Sequence, residues 1–74
     1  MLKGSRTATL HRLQPISIHG QLSYDAYYAF DDDPDQPHVA RVGPEAVDSG
    51  VEAGDHVRLD FLVGVVTAIH RQID

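Results

Sequence analysis

Apolar and polar residues alternate most regularly in the segment from Leu22 to Phe30. One face carries Leu22, Tyr24, Ala26, Tyr28 and Phe30, and the other carries Ser23, Asp25, Tyr27 and Ala29. A period of two with aromatic enrichment is typical of a half-buried β-strand. The first face predicts core, and not a stacking platform for nucleic-acid bases, because the surrounding residues are acidic. Tyr27 is left on the outer face, where its ring needs a neighbour or a partner.

The tail from Val57 to Ile69 also has the composition of a strand, since it is rich in valine, leucine, isoleucine and threonine. Apolar residues at positions 57, 59 and 61 alternate with charged ones, and the alternation fails after Leu62, around Gly64. A glycine inside a strand pattern marks a bulge or a sharp bend. We therefore expect either one long strand bent at Gly64 or two strands that meet there.

Two further strands are predicted before the tail. The segment from Thr7 to Ile18 favours a strand in which Pro15 implies an edge or a bulge. Four aspartates and two prolines between Asp31 and Pro37 predict a solvated loop. His38 to Val42 follows as a short strand, so residues 22–42 form a hairpin with a long tip.

A single helical turn is predicted from Pro44 to Ser49, because proline suits the first helical position and Gly50 ends the turn. Four or five strands and one such turn in 74 residues predict an all-β fold. We expect a small, bent antiparallel sheet that closes into an SH3-like or OB-like barrel. A chain of this length holds one domain, here residues 1–74.

One stretch resembles the sequence rhythm of small SH3-like and OB-like barrels, in which Gly-Asp-x-Val-x-Leu is followed by Gly-x-Val-x-x-Ile. In this chain the matching residues are Gly54-Asp55-His56-Val57-Arg58-Leu59, then Gly64-Val65-Val66 and Ile69. The resemblance implies the barrel fold. It identifies no single family and assigns no functional residue.

The charges are distributed unevenly along the chain. Six Lys and Arg oppose eleven Asp and Glu, which gives a net charge of −5. Residues 1–24 carry +3, whereas residues 25–55 carry −8. Binding to a phosphate backbone depends on clustered Lys and Arg, so this composition makes nucleic acid an unfavourable partner.

The chain contains no cysteine, which excludes disulfides, thiolate catalysis and cysteine-based metal sites. No stretch approaches the roughly 18 apolar residues of a membrane span. The basic N-terminal segment lacks the apolar run of a secretory signal. We expect a mature, cytoplasmic protein that does not enter a membrane.

No set of residues has the spacing of a catalytic or metal site. The histidines, His11, His19, His38, His56 and His70, include no i, i+2 or i, i+4 pair within one element. Asp31, Asp33 and Asp35 have the alternate spacing that opens a calcium loop, but prolines interrupt it and no glutamate closes it. The serines lack a nucleophile elbow, and no glycine-rich loop precedes a helix. We expect no enzymatic activity, no cofactor and no metal.

These exclusions leave binding as the predicted function. We expect a non-enzymatic protein–protein interaction module that forms a homodimer and contacts a further, unidentified protein. Apolar residues occupy both faces of the strand around Gly64, while a small barrel has only one interior. The candidate interface consists of Leu62, Val63 and Val65, with Tyr27 as an outlying aromatic anchor.

The alternative is a small nucleic-acid-binding or regulatory barrel. It would use Arg6, Arg12, Arg41 and Arg58, together with Tyr27. The two functions differ in one structural requirement, because nucleic-acid binding needs these arginines on one face of the fold.

Overall fold

The computed structural model describes residues 3–72, which form one antiparallel sheet of five strands. The strands are β1 (Lys3–Ile18), β2 (Gln21–Phe30), β3 (His38–Val42), β4 (His56–Leu62) and β5 (Val65–Arg71), and a 3-10 helix, Pro44–Ala46, lies between β3 and β4. The all-β prediction is confirmed, and so is the helical turn, in a shorter form. The outermost residues of the predicted domain, 1, 2, 73 and 74, lie outside the described range.

The longest strand, β1, is the centre of the sheet and pairs with a different strand along each half. Residues 3–9 pair with β4, and residues 8–18 pair with β2. A bulge between Leu10 and Arg12 shifts the register, and bulges bend the strand that carries them. Pro15 lies in the half that has β2 as its one neighbour, so the predicted edge position of this proline is confirmed.

Two tight turns join neighbouring strands. His19 and Gly20 connect β1 to β2 with φ of 50° and 78°, and Val63 and Gly64 connect β4 to β5 with φ of 52° and 77°. Two-residue turns with positive φ at both positions match the right-handed twist of a hairpin. Of the two predictions for the tail, the one with two strands that meet at Gly64 is therefore correct.

The sheet is not closed, so the predicted barrel is not confirmed. The order β3-β2-β1-β4-β5 leaves β3 and β5 as the edges, and both run parallel to β1, since each is two antiparallel steps away from it. Within residues 3–72 no strand ladder joins these edges. After β3, a single parallel bridge links Val47 to Ile69, and the Asp48 N–H donates to the Ile69 carbonyl at 3.0 Å.

One apolar core lies on the concave side of the sheet and takes residues from all five strands. Its members are Ala8, Leu10, Ala26, Tyr28, Phe30, Val42, Val51, Val57, Leu59, Val66 and Ile69. The predicted inner face of β2 is confirmed as core from Ala26 onward, whereas Leu22 at its start is 48% exposed. Within the described residues, no helix is long and apolar enough to cross a membrane.

Candidate functional site

The turn between β4 and β5 presents apolar side chains to solvent. Leu62 ends β4, Val65 begins β5, and Val63 is the first residue of the turn between them. These residues are 45%, 62% and 65% exposed, in that order. We refer to Leu62, Val63 and Val65 as the tip surface. Three of the four predicted interface residues therefore lie side by side.

The backbone of Val63 is in the left-handed region, with φ of 52°. A β-branched residue is an outlier in this region, because its Cβ approaches the following carbonyl oxygen at a cost of about 1–2 kcal/mol. Asparagine or glycine forms the same turn without that cost. Val63 therefore destabilises the isolated chain in two ways, through its strained backbone and through its exposed apolar side chain.

A shallow depression of about 600 Å³ adjoins the tip surface on β1 and β4. Its lining is mixed and includes Lys3, Ser5, Arg58, Asp60, Leu62 and Thr67. Lys3 lies opposite Leu62 in the strand pairing, and the Ser5 hydroxyl donates to Asp60 at 2.8 Å. An apolar patch with a polar margin is typical of a protein–protein interface.

Tyr27 lies apart from the tip surface. It is on β2, opposite Arg12 of β1 and Val39 of β3. The Arg12 guanidinium carbon is 5.8 Å from the centre of the Tyr27 ring, and the residue is 37% exposed. The β1 partner of Leu62 is Lys3, in the other half of the strand. The structure thus does not bring Tyr27 together with the other predicted interface residues.

The four arginines of the nucleic-acid alternative are spread over three strands. Three of them form ion pairs, Arg6 with Asp32 at 2.9 Å, Arg41 with Asp25 at 2.9 Å and Arg58 with Asp60 at 3.3 Å. Arg12 contacts Tyr27 and hydrogen-bonds to Gln14. Each paired arginine has a carboxylate beside it, which reduces the positive charge that these side chains present.

A second depression, which the sequence did not reveal, opens between the start of β3 and the β4–β5 turn. It has a volume of about 450 Å³ and is lined by Gly4, Ser5, Arg6, Tyr28, Phe30, His38, Phe61 and Gly64. We refer to it as the aromatic groove. The alternation within β2 places Tyr28 and Phe30 on one face. Nothing local predicts that His38 and Phe61, from two other strands, join them.

The rings of the aromatic groove are in mutual contact. The Tyr28 and Phe30 centroids are 5.3 Å apart at 73°, and His38 stacks on Tyr28 at 5.4 Å and 20°. Phe61 lies 5.9 Å from Phe30. The Arg6 guanidinium lies over the Phe30 ring, 3.6 Å from its centroid. Aromatic pairs at such separations stabilise each other by about 0.5–1.5 kcal/mol beyond burial, so the rings hold one another in place.

The polar side-chain atoms that line the groove are mainly hydrogen-bond donors that have no acceptor within residues 3–72. Tyr28 is 5% exposed, and its hydroxyl has no hydrogen-bond partner within residues 3–72. That range contains no fully buried side-chain nitrogen or oxygen without a partner, so the hydroxyl reaches the groove. Burial raises the pKa of Tyr28, against the opposing charge of Arg6, which keeps the phenol protonated. Within residues 3–72, Arg6 hydrogen-bonds to Asp32 through Nη2 alone, so Nε and Nη1 remain available.

Two histidines pair with carboxylates on the outer side of the sheet. His56 Nε2 is 2.5 Å from Asp31, and its hydrogen bond is the main reason that the pKa of Asp31 is lowered. His70 contacts Asp60 at 2.8 Å and Asp48 at 3.3 Å. The described residues bring no three His, Cys, Asp or Glu side chains together as metal ligands would be. Each of these contacts connects residues at least ten positions apart in the chain.

No protein-family model matches the chain, and no significant match is found among curated proteins or solved structures. Function is therefore inferred from the tip surface and the aromatic groove.

Proposed function

We propose that this protein is a non-enzymatic protein–protein interaction module that forms a homodimer through the tip surface. The observation that carries the proposal is Val63, which is 65% exposed and has a φ of 52°. Strained backbone of this kind clusters at binding sites and switch regions. Burying Val63 against a second copy removes its apolar surface from water and offsets the cost of its backbone.

The tip surface suits a twofold contact. In a dimer with twofold symmetry the same patch of both copies meets itself, and Leu62 and Val65 flank Val63 on either side. Each of the three side chains is about half exposed, so its burial contributes roughly 1 kcal/mol per copy. A domain of this size has a thin stability margin, which association at the tip would widen.

The placement of the arginines favours contact with protein over contact with nucleic acid. In Arg6, Arg41 and Arg58, a guanidinium nitrogen lies within 3.3 Å of a carboxylate oxygen. A phosphate backbone would have to displace those carboxylates and approach a chain with a net charge of −5.

We also infer that the sheet curls into a partly open barrel of the OB-like kind, in a cytoplasmic protein. Two observations support the barrel. The edge strands β3 and β5 run parallel to each other and share one core, and the bridge between Val47 and Ile69 connects the end of one edge to the other. A five-stranded, partly open barrel is the description of the OB fold.

Sedimentation equilibrium between about 1 and 100 μM tests the dimer, a range in which moderate affinities are resolved. We expect a dimer for the parent chain and a weaker one for Val65→Asp and Leu62→Asp. Val39→Asp is the matched control, because Val39 is 57% exposed near the start of the other edge strand. A monomeric parent, or equal weakening by Val39→Asp, would contradict the proposal.

A further inference from the structure

We infer that the aromatic groove is a second binding site, and that it takes an extended, basic peptide segment that inserts one aromatic side chain. The inference rests on the proposed function only in that both involve protein contact. It adds a different surface and a different partner, and it does not require self-association.

The first reason is the Tyr28 hydroxyl. Tyr28 is only 5% exposed, yet its hydroxyl reaches the groove and has no hydrogen-bond partner within residues 3–72, whereas a tyrosine hydroxyl in a buried residue normally has one. Arg6 lines the same groove, and its Nε and Nη1 form no hydrogen bond within residues 3–72. Both groups are donors, and a carbonyl oxygen of a peptide backbone is an acceptor that fits them. Asp32 already neutralises much of the Arg6 charge, so a neutral carbonyl suits this position better than a phosphate does.

The second reason is the shape of the groove. One face of the Arg6 guanidinium rests on Phe30, while the Arg6 side chain is 48% exposed. A planar aromatic side chain stacks favourably on the open face of a guanidinium. His38 and Phe61 line the groove to either side and give such a ring apolar contacts. The volume of about 450 Å³ leaves room for one side chain and the backbone beside it.

The third reason is the unpaired backbone at the mouth of the groove. His38 is the first residue of β3, and Gly64 immediately precedes β5. No ladder joins these two edges in the described part of the chain. Backbone N–H and C=O groups that no ladder pairs can hydrogen-bond to an added strand, which is how many extended peptides are bound.

The charge of the partner follows from the loop before β3. Asp33 and Asp35 make no ion pair within residues 3–72, and Asp32 beside them adjoins Arg6. Arg6 lines the groove, so its ion pair with Asp32 places this acidic loop beside the groove, and the negative charge of the loop would attract lysine or arginine residues on either side of the inserted ring. An acidic peptide or a nucleic acid would be repelled by these carboxylates.

The chain contains no tryptophan, so the emission of a peptide tryptophan reports directly on its burial. The probe is a synthetic eight-residue peptide that alternates lysine with valine and carries one central tryptophan. We expect a saturable blue shift with a Kd of about 10–300 μM. The same peptide with glutamate in place of lysine should bind at least about tenfold more weakly. A single-stranded oligothymidine should not displace the basic peptide.

Matched variants locate the site. Tyr28→Phe removes only the unpartnered hydroxyl and should weaken binding about fivefold, the equivalent of one hydrogen bond. Tyr27→Phe makes the same change outside the groove and should have no effect. The double variant Asp33→Asn, Asp35→Asn should weaken binding of the basic peptide and reduce its dependence on salt.

Absence of a saturable shift up to about 1 mM peptide overturns the inference. So do equal affinity for the glutamate peptide, displacement by oligothymidine, or equal effects of Tyr28→Phe and Tyr27→Phe. The titration is repeated with Leu62→Asp, which alters the tip surface at a residue that does not line the aromatic groove. Unchanged peptide binding by this variant supports a site independent of the dimer, whereas loss of binding overturns it. A monomeric parent chain that binds the peptide as expected refutes the dimer and leaves the groove site intact.

Discussion

His70 of β5 is linked to Asp60 of β4 by a distance of 2.8 Å between its Nε2 and a carboxylate oxygen. Its other ring nitrogen, Nδ1, lies 3.3 Å from Asp48. Asp48 belongs to the segment after the 3-10 helix, and its N–H donates to the Ile69 carbonyl of β5. One side chain therefore ties the last hairpin to the segment that spans the open side of the sheet.

Acidification should destabilise the fold through Asp60. The Ser5 hydroxyl, followed by His70, holds the pKa of Asp60 below its usual value, which is about 4 for an aspartate. A carboxylate with a lower pKa in the folded than in the unfolded state stabilises the fold above the unfolded pKa, and this stability is lost as the pH falls through the folded pKa. We expect the Tm to decrease as the pH is lowered below about 4. The decrease should be less steep in Asp60→Asn. Thermal melts followed by circular dichroism across this range measure both slopes.

Asp33→Asn is the control for this experiment, because Asp33 makes no ion pair within the described residues. Its melting curve should follow that of the parent chain at every pH. Parallel losses of Tm in the parent and in Asp60→Asn would show that Asp60 does not carry the acid sensitivity.

The loop from Asp31 to Pro37 should contain carboxylates that stabilise the fold and others that do not. Asp31 lies 2.5 Å from His56 Nε2, whereas Asp33 and Asp35 form no ion pair within residues 3–72. We expect Asp31→Asn to lower the Tm by about 2–4 °C, in line with the modest value of exposed ion pairs. Asp35→Asn should leave it unchanged. Melts with and without calcium chloride complete the test, since a calcium-dependent rise in Tm would show that the loop binds the ion.

Features that depend on neighbouring residues in the chain were predictable, and features that depend on distant pairs were not. The alternation around Ala26 identified β2, and Gly64 indicated either a bend or a boundary between two strands at the position where β4 and β5 meet. The pairing of Asp31 with His56, by contrast, joins residues 25 positions apart, and no local pattern encodes it. The aromatic groove could not be predicted from the sequence for the same reason, because its rings come from more than one strand.

The predicted interface could likewise be identified from the sequence only where its residues are neighbours in the chain. Leu62, Val63 and Val65 are neighbours in sequence and remain neighbours in the fold, so their grouping was predictable. Tyr27 faces outward as its position in the alternation predicts, but its strand pairs with a different half of β1 from the half that pairs with β4. The positive φ of Val63 was not predictable either, because valine is among the residues least suited to it. Local rules fail most often at functional or strained positions.

The stability of the fold should depend strongly on individual buried leucines, and the sequence alone does not show which leucines these are. Leu59 is fully buried, whereas Leu22 is 48% exposed near the start of β2. We expect Leu59→Ala to cost about 2–5 kcal/mol, which is a large part of the stability of a small domain. Leu22→Ala should cost less than about 1 kcal/mol. Urea denaturation of both variants gives the comparison, and equal costs would contradict the assignment of Leu59 to the core.

Val63→Asn should separate the stability of the chain from its self-association. Asparagine followed by glycine is the preferred sequence for this turn, so the substitution relieves the strain of the left-handed valine. We expect the free energy of unfolding of the monomer to rise by about 1 kcal/mol. The same substitution removes the most exposed apolar residue of the tip surface, so the dimer should dissociate at least about tenfold more readily. Urea denaturation below the dissociation constant gives the first quantity, and sedimentation equilibrium gives the second.

The control is His19→Asn in the turn between β1 and β2. His19 has a φ of 50° and is followed by Gly20, so its backbone geometry matches that of Val63, while its side chain lies outside the tip surface. Histidine tolerates this conformation better than valine does, and a smaller rise in stability with an unchanged dimer is expected. If Val63→Asn is more stable and still associates as the parent chain does, the strain at Val63 is unrelated to binding. In that case, the observation that carries the proposed function no longer supports it.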